Sequence, residues 1–396
     1  MRTLVLTNRR LDSRQSGYDL RVVNLCAHLP GEVHLVVAPY QAPGTARRGL
    51  PVDGVFASVE ELPPLQGRVT GWRRHLRLSN AHFLQITRPA AFDAARARLA
   101  EVVREKDISH LVVFGGDVAE LAAGIDVPRT VLDVCDSTGL TARRALEGVT
   151  RRARWISDRV DVTRKSRTEA RFPDHFGLVT AISDPDARAV EGGRHPAGTV
   201  RTIPNGIDEA YVGDLPPAGD RRGVVFWGNL AFGPNHEALW FFLHDVFLPH
   251  LRDKDVELCV IGGSPPSWLT DAAADEPLIR LAGYVEDLPS GVAPYPVMIN
   301  PMRTGSGLKN KVLEAFALGR AVVTTRRGVE AMPEVRDGVH VLCADDAPGL
   351  ADAVLAVLDE PARGEELRRA AHELVLAHYR WGVIGPRWSE LVTTGM

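Results

Sequence analysis

Strand-length apolar runs alternate with helix-length segments along almost the whole chain, and the series runs through twice. In the first half the runs fall at residues 3–7, 32–38, 110–114, 129–134, 178–182 and 200–203, with helical spacing over 20–29 and 92–106. Runs this uniformly apolar are buried on both faces, the mark of parallel strands joined by helical crossovers. Such crossovers are right-handed, so the pattern predicts an α/β fold built on a doubly wound sheet. Residues 213–223, rich in Pro, Gly, Asp and Arg and without apolar periodicity, interrupt the series and read as a linker. The alternation then restarts, with strands at 223–227, 257–261, 279–282, 297–300, 321–325 and 340–343 and helices at 235–251, 311–318, 347–359 and 362–379. A chain of 396 residues exceeds what one core usually supports. Two Rossmann-like domains are therefore expected, 1–212 and 213–379.

Composition narrows the functional classes. A net charge of −3 gives no global attraction to nucleic acid, and none is expected as a partner. Cys26, Cys135, Cys259 and Cys343 are scattered, and the thirteen histidines form no His-x-x-x-His pair. Buried reduced thiols and no protein-held metal are expected. Residues 1–7 read as a strand and not as a signal peptide, and no apolar run approaches about 20 residues. A cytoplasmic location follows as an expectation. The basic stretch 68–77, with Trp72 inside it, reads either as a solvated amphipathic helix or as a weak membrane-surface contact.

The most informative segment is Gly305-Ser306-Gly307-Leu308-Lys309-Asn310-Lys311-Val312-Leu313-Glu314. It follows one strand and opens a helix, so its glycines present free N–H groups at the positive end of a helix dipole, where an anionic phosphate settles. Lys309 and Lys311 are two of only five lysines in the chain. Glu314, about one helical turn further on, is placed to accept from hydroxyls attached to that phosphate. Together they suggest a nucleotide diphosphate carrying a sugar. The plainer alternatives are a tight turn, two surface lysines and a solvated helix acid.

Five segments, in order, resemble the retaining glycosyltransferases of family 4. They are Ser16-Gly17-Tyr18-Asp19-Leu20-Arg21, Ile203-Pro204-Asn205-Gly206-Ile207-Asp208, Phe226-Trp227-Gly228-Asn229-Leu230, Leu281-Ala282-Gly283-Tyr284-Val285-Glu286-Asp287, and the 305–319 block with Gly328-Val329-Glu330 beyond it. The resemblance spans nearly the whole chain. It implies a GT-B fold, with an acceptor-side domain 1–212, a nucleotide-sugar domain 213–379, a cleft between them, and a tail 380–396 crossing back. It implies a hexosyltransferase that moves a sugar from a UDP- or GDP-sugar to a hydroxyl of a metabolite, glycan or lipid carrier, keeping the anomeric configuration. No cofactor or metal beyond that co-substrate is implied.

Carried over residue by residue, the resemblance puts Gly305, Ser306, Gly307, Leu308, Lys309, Val312, Leu313 and Glu314 against the donor, with Glu314 on the ribose. Gly228 and Asn229 approach the same donor, and Gly283, Tyr284 and Val285 line its base pocket. Gly17 reaches toward the donor phosphate, while Ser16, Arg21 and Asp133 lie on the acceptor side. Asp136, Lys309 and Glu314 are the expected catalytic residues, Asp136 beside the reacting carbon or, alternatively, a buried helix cap. Two departures stand out. Ser306 occupies the place of the family's second glutamate, and the usual Arg and Lys after the first strand of the second domain are missing, with Gly228–Asn235 in their stead. Lys309 is expected to supply the missing charge. These departures leave open a degenerate sugar-nucleotide-binding protein, or a nucleotide-sugar epimerase, on the same fold.

Overall fold

The computed structural model describes residues 1–11, 17–38, 54–63, 65, 85, 87–147 and 152–395, with the side chains of 152–157 left out. The chain divides into two compact units, one of residues 1–205 and 382–396, the other of 206–381.

The first unit is built on strands β1 (Arg2–Thr7), β2 (Glu32–Val37), β3 (Ser58–Glu61), β4 (His110–Phe114), β5 (Arg129–Asp133), β6 (Leu178–Ala181) and β7 (Val200–Thr202), in the order β3-β2-β1-β4-β5-β6-β7. Every pairing is parallel. β1, β2 and β4 are apolar and buried along nearly their whole length, since helices cover both faces of such a sheet. β3 was not legible in the sequence. Its Ser-Val-Glu-Glu run is half-exposed because an edge strand pairs on one side only and carries no apolar signature. Residues 382–394 continue the last helix (Trp381–Thr394) onto this unit, where Trp388 packs against Phe114 at 5.8 Å between ring centroids.

The second unit holds β8 (Gly223–Trp227), β9 (Glu257–Ile261), β10 (Ile279–Gly283), β11 (Val297–Asn300), β12 (Ala321–Thr324) and β13 (Val341–Cys343), in the order β10-β9-β8-β11-β12-β13, again wholly parallel. The helix expected over 235–251 is α-helical over Gly233–Phe241 and π-helical over Phe242–Leu251, with Pro249 inside the second part. Proline supplies no N–H for the regular ladder there.

The boundary falls at 205/206 and not at 212/213, for a local reason. Ile207 donates its N–H to Tyr379 O at 2.7 Å, which fastens the segment after the crossing to the second unit. The proline-rich stretch read as a linker is likewise fixed. The fully buried Arg320 donates to the carbonyls of Leu318, Ala293, Tyr295 and Pro217 at 2.8, 2.9, 3.0 and 2.5 Å. Arg368 takes Pro216 O at 2.6 Å, and the His372 ring lies 3.1 Å from Gly213 O. Burial lowers the Arg320 pKa to about 10, with Arg368 adding to the effect.

In each sheet the strand order reverses once, between β1 and β4 in the first unit and between β8 and β11 in the second. At such a switch point the crossover helices leave in opposite directions and open a crevice at the carboxyl ends of the strands.

Candidate active site

In the second unit the segments that meet at the switch point are the turn after β8 and the long turn after β11. Gly228 donates its N–H to Ile261 O at 3.1 Å, and Asn229 closes the turn by accepting at Oδ1 from the Ala231 N–H, 3.0 Å. Gly262, at the end of β9, lies so close that a Cβ would collide with Gly228 O. Only glycine lets these two turns approach.

After β11, Gly305 (φ +87°) and Gly307 (φ +72°) bend the chain into the helix Asn310–Ala317. Lys309 is the residue before that helix. Its buried ammonium donates back to the carbonyls of Ser306, 2.6 Å, and Gly307, 3.1 Å. It therefore fixes the shape of the turn from within. The side chains of Leu308, Val312 and Leu313 are buried in the core, so only their backbone faces the turn, and the Val312 N–H is already given to Lys309 O at 2.8 Å.

Lys311 points beneath the β8 turn. Its Nζ donates to Asn235 Oδ1 at 2.6 Å and sits 4.1 Å from the centre of the Phe226 ring. Asn235 in turn donates to Asn229 O at 2.9 Å, so lysine, asparagine and turn form one relay. Burial, reinforced by the nearby Lys309 charge, lowers the Lys311 pKa from 10.5 to about 7, against the pull of Glu314. Glu314 accepts from Trp227 Nε1 at Oε2, 2.7 Å. Burial raises its pKa, the bond from Trp227 and the Lys311 charge oppose that, and Asp208 adds to the rise. Tyr211, raised to about 12 by burial and then by Glu314, Asp208 and Asp287, marks an acidic surrounding of Glu314. Cation and carboxyl thus stand side by side, each burial-shifted toward its neutral form.

Gly283 O accepts from the Gly262 N–H at 2.8 Å, which brings the β10 turn alongside the other two. Tyr284 just beyond it is 57% exposed, a free aromatic face. Beyond β11, the Thr304 hydroxyl donates to Glu237 of the helix Gly233–Phe241, so a carboxylate from another element reaches the turn that holds Ser306.

The first unit has its own crevice, a cavity of about 650 Å³ at the carboxyl ends of β1, β4 and β5. Asp136, exposed, lines it. Cys135 before it adopts φ +57°, an uncommon value for a residue with a Cβ, and this kink turns Asp136 outward from the strand end. Asp136 is thus not a buried helix cap. The first turn of the following helix (Thr138–Glu147) is capped by Ser137, whose Oγ accepts from Leu140 N at 3.0 Å, and by Glu169, which accepts from Thr138 N at 2.7 Å, Gly139 N at 3.1 Å and Ser137 Oγ at 2.6 Å.

Two acceptor-side expectations are corrected. Arg21 and Asp133 are 1% and 0% exposed and face each other in a two-pronged pair, Nε to Oδ1 2.9 Å and Nη2 to Oδ2 2.7 Å. Arg21 Nη1 also donates to Asn205 Oδ1 and Pro204 O, while Asp133 accepts from Thr180 Oγ1 at 2.6 Å. A pair so enclosed joins β5, β6 and the crossing segment and has no group left for a ligand. Gly17 opens the first helix, Gly17–Cys26. Ser16 and the basic stretch 68–77 lie outside the described residues. Trp227, Asp208 and Asn235 stand within the segments quoted from the sequence but were given no role there, and Glu237 was not singled out. Trp227 ends a strand and Asn235 opens a helix at the same switch point, and that position was the available signal.

With this geometry in place, the likenesses to known proteins fall into line. Residues 221–360 match the family described as Glycosyl transferases group 1. Two glycogen synthases of Mycobacterium tuberculosis, from strains CDC 1551 / Oshkosh and ATCC 25618 / H37Rv, are 28% identical over 203 residues, 47% of this chain. The match covers 46% of those relatives, under half their length. Among solved structures, Anabaena Alr3699/HepE in complex with UDP superposes with a TM-score of 0.67 over 100% of both chains at 14% identity. Sucrose-phosphate synthase from Thermosynechococcus elongatus gives 0.69 over 99% of this chain and 98% of its own, also at 14% identity. Residues 221–360 of the second unit are thus similar to the group 1 glycosyl transferases, and the chain has the two-sheet α/β fold of GT-B glycosyltransferases.

Proposed function

We propose that this protein transfers a sugar from a UDP- or GDP-sugar to an acceptor hydroxyl, with retention at the anomeric carbon. One observation carries the reading: Glu314, Lys311 and the Lys309-braced glycine turn stand together at the switch point of the second unit's sheet. A carboxylate held by Trp227 Nε1 suits the paired hydroxyls of a ribose, and the turn amides with Lys311 suit a diphosphate. The known HepE complexes hold UDP, UDP with glucose, and UDP-glucose, which makes UDP the first base to try.

In the step itself the acceptor oxygen bonds to the anomeric carbon as the bond from that carbon to the diphosphate oxygen breaks. The acceptor proton passes to the leaving diphosphate, whose charge is met by Lys311 and the turn amides. Asp136, exposed in the first unit's cavity, is the group we assign to orienting the acceptor hydroxyl. All four cysteines are free, which suits a reducing, cytoplasmic compartment.

The test is calorimetric titration with UDP and GDP, followed by donor turnover with UDP-glucose and product analysis by anomeric proton coupling. Binding of one nucleotide that Glu314→Ala weakens at least ten-fold is the expected result. Binding of neither, or binding unaltered by Glu314→Ala, overturns the assignment. Release of an isomerised sugar from donor alone would point to the epimerase.

A further inference from the structure

The cavity in the first unit has a chemical character that the donor reading does not use. Arg164 and Arg167, on one face of the helix Arg152–Glu169, and Arg171 just past its end all line it. Among the described residues none of these three side chains has a hydrogen-bond or ion-pair partner. The other basic group there, Lys165, is taken by Asp161 at 3.0 Å.

The carboxyl groups of the same cavity do not neutralise the arginines. Glu169 is spent on capping the helix Thr138–Glu147. Asp117 is pushed up by burial, with Lys165 and an Asn8 hydrogen bond working against the rise. Asp136 stands exposed at the end of β5. Three exposed arginines thus line a concave space whose remaining wall is part apolar, from Val134 and Phe172.

We infer that the acceptor carries a phosphate ester and that Arg164, Arg167 and Arg171 receive it, leaving a hydroxyl of the same molecule for Asp136. This rests on the glycosyltransferase reading above. A carboxylate occupies one guanidinium fork, whereas a phosphate ester offers enough oxygens for two or three. A cavity of about 650 Å³ holds a phosphorylated sugar or polyol, or the headgroup of a phospholipid, and is too small for a nucleic-acid strand. The phosphate is an anchor and takes no part in the transfer.

The experiment is run with UDP at saturation, so that any phosphate site in the second unit is already filled. Glycerol 3-phosphate and glucose 6-phosphate are titrated against glycerol and glucose, and in a separate arm against vesicles of phosphatidylglycerol in phosphatidylcholine. Binding of a phosphate ester at least ten-fold tighter than its neutral counterpart, reduced at least ten-fold in Arg164→Ala/Arg167→Ala, is expected. The arm that binds identifies a soluble or a lipid acceptor. Equal binding of neutral and phosphorylated compounds overturns the inference. So does ester binding indifferent to the arginines, inorganic phosphate binding without ester binding, or binding in neither arm. An Arg164→Lys/Arg167→Lys variant that recovers part of the affinity shows that charge, and not a lost fold, is being read. A wild-type protein that ignores UDP yet binds the esters through these arginines would fail the donor reading alone.

Discussion

Lys311 offers the sharpest test of the donor site, because its charge state is left unsettled by the fold. Free, it titrates near pH 7, since burial and Lys309 oppose its proton. A phosphate oxygen brought within about 4 Å contributes about 4 kcal/mol at an effective dielectric of about 20, enough to lift that pKa by about 2 units or more. Taking the bound value as about 9, UDP binding at about pH 8 draws in about 0.8 of a proton per site. The UDP Kd then weakens about 25-fold, about 1.9 kcal/mol, from about pH 7 to about pH 9. Calorimetry in two buffers of different ionisation enthalpy measures the uptake directly. Lys311→Met, which is of similar length but gives up the ammonium's place over the Phe226 ring, abolishes both the uptake and the pH slope. Stability moves the other way: from near pH 7 to near pH 10.5 the unfolded chain holds a proton the folded lysine lacks, so this group makes the fold more stable as pH rises. A wild-type protein that binds UDP with no proton uptake and a flat pH profile would refute the argument.

The remaining predictions concern the supports of the site. Glu314→Gln loses the charge that strengthens hydrogen bonds to ribose hydroxyls, so UDP affinity falls about 10- to 100-fold in titration. Trp227→Phe removes the one donor seen on Glu314, raises its pKa further, and weakens UDP several-fold with the fold retained on circular dichroism. Gly262→Ala forces its Cβ onto Gly228 O and lowers the second unit's stability by about 1–3 kcal/mol in urea, with UDP affinity lost alongside. Asp133→Asn leaves Arg21 buried without its counter-charge and costs about 3–5 kcal/mol, read as a lower urea midpoint, while UDP affinity stays as it was.

The strands were legible because most are buried on both faces and read as unbroken apolar runs; β8, β9 and β11 needed no context to be seen. β3 was not, because a half-exposed edge strand of Ser, Val and two Glu looks like any surface loop. At the candidate site, the glycine turn opening the helix that carries Glu314 was legible from spacing along one segment. The partners of Glu314 and Lys311 were not, since Trp227 and Asn235 lie 87 and 76 residues away and meet them only through sheet order. Arg21 and Asp133 misled for the same reason: 112 residues apart, they carry the look of ligand contacts but satisfy each other in the interior.

The buried Arg320 has a practical consequence for anyone dividing this chain. Among the described residues its guanidinium has no carboxylate partner and is solvated by four main-chain carbonyls, one of them that of Pro217. A fragment begun at 221, where the family likeness starts, would strip that oxygen away and unseat Arg368 and His372 as well. A C-terminal piece is therefore better begun at 206, where the second unit starts, and the fifteen residues ahead of the recognisable domain are its internal solvent.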